Sequence, residues 1–152
     1  MDEKRHFCSF FVEDFLFGIA VEKVQEVASS VEMTPVPLAP PKVRGLINLR
    51  GQIVTAIDLR SCLELSELPI GQIPINVILQ ANDGYASLLV DRVGEIVEVD
   101  ENDFELPPET LRGPVRELIQ GAYKLDNKLM HVLDLDRALH VAGSDCRGPK
   151  QA

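Results

Sequence analysis

Apolar positions along this chain fall mostly in short runs bounded by turn residues, which is the pattern of β-strands, with little helical spacing between them. "FCSFFVEDFLFGIAV", from Phe7 to Val21, reads as two strands meeting near Glu13-Asp14. "INVILQANDGYASLLV" reads as a hairpin around Asn82-Asp83-Gly84, a strong turn signal. "GLINLRGQIVTAIDL", residues 45–59, places two apolar runs around Leu49-Arg50-Gly51-Gln52 and predicts a hairpin turning at Arg50-Gly51. "MTPVPLAPP", residues 33–41, holds four prolines and reads as an extended connector. Asp58 and Asp134 each precede Leu-x-x-x-Leu, so each is expected to cap one short helical turn.

The pattern repeats. Residues 45–59 lie over 121–135 without a gap, at an offset of 76. Gly45, Leu49, Asp58 and Leu59 then meet Gly121, Leu125, Asp134 and Leu135, and six further positions are apolar in both copies. Arg50-Gly51 lies on Asp126-Asn127, which is good hairpin chemistry. Upstream, "VEKVQEV" at 21–27 overlays "VDRVGEI" at 90–96 at an offset of 69, so about seven extra residues belong in "DENDFELPPETLRGPVREL". Two similar lobes are expected, about 7–65 and about 73–142, joined around "ELSELPIGQIP". Many short strands with little helix indicate an all-β pair of small barrels, with a groove along their seam where a partner could bind. The tail after Val141, residues 143–152 above all, is expected to be flexible.

Composition narrows the function. With 45% hydrophobic residues among 152, the chain has the makeup of an ordinary globular protein. A net charge of −9 opposes a phosphate backbone, so nucleic-acid binding is not expected. No apolar run approaches the roughly 20 residues of a membrane span, so no direct membrane insertion is expected. The three cysteines are far apart, odd in number and without a CxxC arrangement, which reads as reduced thiols in a cytoplasmic protein.

Chemistry is scarce. No glycine-rich phosphate loop is present, and no histidine pair has ligand spacing, so neither metal nor cofactor is expected. His131 replaces Thr55 in the repeat, on a face with Leu129, Leu133 and Leu135, and reads as a hydrogen-bonded core or groove residue rather than a general base. The acid-rich "VEVDENDFE" lacks the spaced ligands of a calcium loop and reads as a solvated loop. Arg50 stands out, because asparagine or aspartate would serve its turn better. Two accounts remain open: a solvated surface arginine of little consequence, or one paired with Glu26 from the repeated V-x-x-V segment. The cognate pair in the second copy, Asp126 and Glu95, would be two acids, so any such bridge belongs to one lobe alone.

These residues resemble the CheW family of bacterial chemotaxis coupling proteins. Gly45-Leu46-Ile47-Asn48-Leu49-Arg50-Gly51, followed by Ile57-Asp58-Leu59-Arg60, is similar to the family's G-x-x-N-L-R-G pattern and its following [IV]-D-L-R segment. "FGIAVEKVQEV", "LLVDRVGEIVEV" and "IQGAYKLDNKLMHVLDLDRAL" resemble further family signatures, in order from about Phe7 to Leu139. The resemblance implies a single CheW-like domain over residues 1–142, built as two SH3-like five-stranded β-barrels. It implies a non-catalytic adaptor, without cofactor, that couples the cytoplasmic tip of methyl-accepting chemotaxis receptors to the regulatory domain of a CheA-type histidine kinase. Such an adaptor would be cytoplasmic and recruited to membrane-associated receptor arrays. By the same resemblance Val24 and Glu26 match kinase-contact positions, Val43, Leu49 and Arg50 are assigned to the receptor side, and Arg50 is held by Glu26 as a structural ion pair.

Other readings have defined requirements. A related adaptor could serve pili, gliding or second-messenger output. A kinase regulatory domain would have the same fold, and a CheV-type protein would need a receiver domain. A small-ligand or enzymatic barrel using the inter-lobe cleft would need polar groups converging there, where only His131 and scattered acids are available.

Overall fold

The computed structural model describes residues 4–29, 31–39, 42–81 and 84–141, the side chains of His140 and Val141 excepted. Asn82-Asp83 of the expected turn, Pro40-Pro41 of the proline segment and the tail at 143–152 lie outside the described residues. In chain order the elements are β1 (Lys4–Val12), β2 (Phe15–Ala20), β3 (Val24–Ser29), β4 (Val43–Leu49), β5 (Gln52–Asp58), α1 (Leu59–Cys62), β6 (Ile75–Ala81) and β7 (Gly84–Val90). They continue with β8 (Arg92–Asp100), β9 (Phe104–Glu105), α2 (Pro114–Glu117), β10 (Ile119–Lys124), β11 (Leu129–Leu133) and α3 (Leu135–Val141). Single 3₁₀ turns at Val21–Lys23 and Glu101–Asp103 complete the order.

Local chemistry accounts for the turns. Asp58 accepts from the Arg60 amide at 3.1 Å and Asp134 from the Arg137 amide at 3.2 Å, so both expected aspartate caps form. At the β4–β5 turn Arg50 has φ +51° and Gly51 φ +91°, the left-handed pair that a two-residue hairpin requires.

The sheets are all-β layers of five and six strands, ordered β3-β6-β7-β5-β4 and β8-β1-β2-β11-β10-β9. Each draws strands from both halves of the chain. The division expected at about 7–65 and 73–142 therefore needs correcting: hairpin β1–β2 sits with β8–β11, and hairpin β6–β7 sits with β3–β5. Connector length dictates the exchange. A strand placed beside β1 would run parallel to β2, and a parallel return within one sheet takes about a dozen residues. Only Val21–Lys23 separate β2 from β3, and only Asp91 separates β7 from β8, so each following strand enters the other sheet.

The repeat survives this exchange residue by residue. Val43↔Ile57 and Gly45↔Ala56 flank a register shift in the first copy, as Ile119↔Leu133 and Gly121↔Val132 do in the second. Likewise Val24↔Leu79 and Val27↔Val77 match Phe10↔Val93 and Cys8↔Ile96. The extra residues of the second copy hold α2, whose Val115, with Leu118 after it, enters the core.

Each sheet closes on itself. Beyond β3 the chain crosses to β4, where Thr34 and Leu46 exchange two backbone hydrogen bonds of 2.8 Å; beyond β8, β9 pairs with β10. The crossing explains the repeated glycine: a Cβ on Gly45 would stand 2.7 Å from the Thr34 carbonyl oxygen, and one on Gly121 would run into the Phe104 ring and the Glu105 carbonyl. One barrel encloses Ile47, Val54, Ala56 and Ile78, and the other Phe7, Leu16, Met130 and Tyr123. A larger apolar cluster, including Phe10, Phe17, Ile57, Leu88, Leu118 and Leu133, lies between the barrels and belongs to both. Burial of that shared cluster is what holds the barrels together.

Candidate functional site

Arg50 occupies the tip of the β4–β5 hairpin, where Asn48 Oδ1 accepts from the Gly51 amide at 2.8 Å and braces the turn. Its side chain leaves the hairpin and places Nη2 2.6 Å from Glu26 Oε1 on β3. The register shift between Val24 and Glu26 is where β3 offers that carboxylate. β3 and β4 are the opposite ends of the five-strand order, so the ion pair spans the closure of the barrel.

Energetics argue against a stabilising purpose. Arginine at positive φ costs roughly 1 kcal/mol or more. Arg50 is 68% exposed, and an exposed ion pair contributes at most about 1 kcal/mol. The two terms cancel at best. The pair therefore adds little or no net stability to the fold.

The other expected site residues are distributed unevenly. Leu49 adjoins Arg50 and is half-buried against the barrel interior. Val24, two residues before Glu26, is half-buried against the shared core. Val43 is half-buried at the far end of β4, about 20 Å along the strand from Leu49. Two exposed apolar side chains had not been singled out: Val27, 44% exposed beside Glu26, and Ile53, 65% exposed opposite Asn48. The alternation of β3 would have pointed Val27 outward; nothing in the sequence said that this face was free.

A second polar constellation lies at the junction of the barrels, and sequence reasoning met Arg60 only as part of a motif. The buried guanidinium donates from Nε to Asp91 Oδ1 at 2.8 Å and from Nη2 to Asp91 Oδ2 at 2.7 Å. Nη1 donates to the Ser66 carbonyl at 2.5 Å, and Nη2 also lies 2.6 Å from Glu13 Oε1. Asp91 Oδ2 accepts in addition from the Glu13 amide at 2.7 Å, and Glu13 takes φ +58° there. Burial works to raise the Asp91 carboxyl, but hydrogen bonds from Arg60 and the Glu13 amide, with the nearby arginine charges, outweigh it and hold it below its ordinary range. The hydrogen bond to Asp91 raises Arg60 in turn, against its desolvation. An open pocket of about 380 Å³ adjoins this junction. Four charged groups on its wall are engaged with one another, Arg44 with Asp58 and Arg60 with Asp91.

His131 packs between Phe15 and Phe17, with ring centroids 6.1 and 5.9 Å away. It was expected to be hydrogen-bonded; instead its buried Nδ1 has no hydrogen-bond partner, and burial pushes its pKa down. Among the described residues no group of three or more His, Cys, Asp or Glu could hold a metal ion, and no helix is long and apolar enough to cross a membrane.

Comparison with known proteins agrees with the twin-barrel architecture. The model of the CheW-like domain matches residues 6–142. The chemotaxis protein CheW of Treponema pallidum (strain Nichols) is 29% identical over 140 residues, covering 90% of this chain and 82% of that protein. The chemotaxis protein CheW of Bacillus subtilis (strain 168) is 29% identical over 143 residues, covering 94% and 92%. The crystal structure of the scaffolding protein TtCheW from Thermoanaerobacter tengcongensis superposes with a TM-score of 0.79 at 28% identity, covering 87% of this chain and 90% of that one.

Proposed function

The chain belongs to the CheW-like domain family, and from that membership we propose that it is a non-catalytic adaptor coupling methyl-accepting chemoreceptors to a CheA-type histidine kinase in chemotaxis. The observation that carries the reading is the Arg50–Glu26 pair. It is an exposed charge pair, absent from the second copy and held at a backbone cost that the fold does not repay.

The kinase regulatory domain docks on the β3 side, against Val24 and Glu26 with Val27 as the exposed apolar contact. The receptor tip lies along the β4 side, against Val43, Leu49 and Arg50. Apolar contacts of this kind supply affinity, while Arg50 and Glu26 set register and partner choice. Such an adaptor works in the cytoplasm and reaches the membrane only through the receptors.

The test is co-sedimentation of the purified chain with receptor-containing membranes and the full-length kinase. The chain pellets when both partners are present and Arg50→Glu reduces the pelleted fraction. If the wild-type chain stays in the supernatant with every cognate receptor and kinase of its source, the adaptor reading is wrong.

A further inference from the structure

The geometry assigns Arg60 as the positioning residue that fixes the orientation of one barrel against the other. Its guanidinium gathers three separate stretches of chain. Glu13 is the turn of the exchanged hairpin β1–β2. Ser66 lies in the connector between the two copies. Asp91 is the single residue between β7 of one sheet and β8 of the other. Arg60 itself projects from α1, which follows β5 of the five-stranded barrel. One side chain thus ties both sheets and the connector.

The shared apolar core holds the barrels together but is non-directional, so it resists separation more than rotation. A bidentate guanidinium–carboxylate fork has a fixed plane and resists rotation directly. Burying such a pair seldom adds net stability, because desolvation of both charges offsets their attraction; setting one geometry over others is its best-attested use. The second copy lacks an equivalent. Arg60 and Asp91 correspond there to Asp136 and Glu22, two acids, which cannot form such a fork.

Residual dipolar couplings on the full chain test the assignment. In the wild type one alignment frame fits both barrels. In Arg60→Lys, which keeps the charge but loses the fork, each barrel still fits its own structure while the two frames diverge. A single shared frame in Arg60→Lys overturns the assignment, and so does loss of amide protection throughout the five-stranded barrel. Should Arg60→Lys fail to fold, Asp91→Asn carries the same expectations, since it keeps the side-chain shape and removes the charge.

Discussion

Arg50 reaches Glu26 at 2.6 Å from a backbone conformation, φ +51°, that L-residues other than asparagine and aspartate rarely adopt. Replacing it separates turn preference from surface chemistry. Arg50→Asn suits the turn and loses the pair, so its unfolding free energy stays within about 1 kcal/mol of wild type. Its co-sedimentation with receptor–kinase membranes falls nonetheless. Urea titration beside the pelleting assay checks both halves.

Charge reversal addresses the pairing itself. Arg50→Glu or Glu26→Arg alone places like charges together and weakens recruitment, and the double exchange recovers part of the loss. Strictly additive losses in that cycle would mean that the two side chains act separately.

Val27 gives a contact without a charge. As an exposed side chain on β3 it contributes little to the core, so Val27→Asp leaves the unfolding midpoint nearly unchanged while weakening capture of the kinase regulatory domain. An equal loss of receptor binding in the kinase's absence would move the residue to the other interface.

Gly45 is under a packing constraint. Gly45→Ala drives a methyl group against the Thr34 carbonyl, where backbone rather than a flexible side chain must yield, and costs about 1–3 kcal/mol by chemical denaturation. Gly121→Ala meets Phe104 and Glu105 in the second barrel and carries a similar penalty.

Acid should loosen the molecule in two steps. His131 is held neutral in the folded chain, so the unfolded chain takes up a proton first, and stability falls as pH drops below about 6.5. Asp91 is held charged, so its contribution persists above the ordinary aspartate range near pH 3.9 and is lost as pH falls through its lower folded value. His131→Leu flattens the first step and leaves the second. Denaturation midpoints measured from pH 8 to pH 3 distinguish the two.

The hairpins, both aspartate caps, the two repeat offsets and the closeness of Arg50 to Glu26 were legible because each rests on local chemistry or a short pattern. The exchange of hairpins was not. A repeat shows which strands are equivalent, and Phe10 can face Val93 or Val24 without changing that equivalence. The deciding signal was present in the brevity of the links: one residue after Val90 cannot return a chain to a parallel strand. Arg60 was passed over for a related reason. Its partners Glu13 and Asp91 lie in segments that become neighbours only once the exchange is known. The aromatic surroundings of His131 are the rings of Phe15 and Phe17, brought from a strand more than a hundred residues away in the chain.

Because the two barrels bury one large apolar cluster in common, neither can come apart without uncovering part of its neighbour's core. A fault in either barrel is therefore felt by both, through the side chains they bury together.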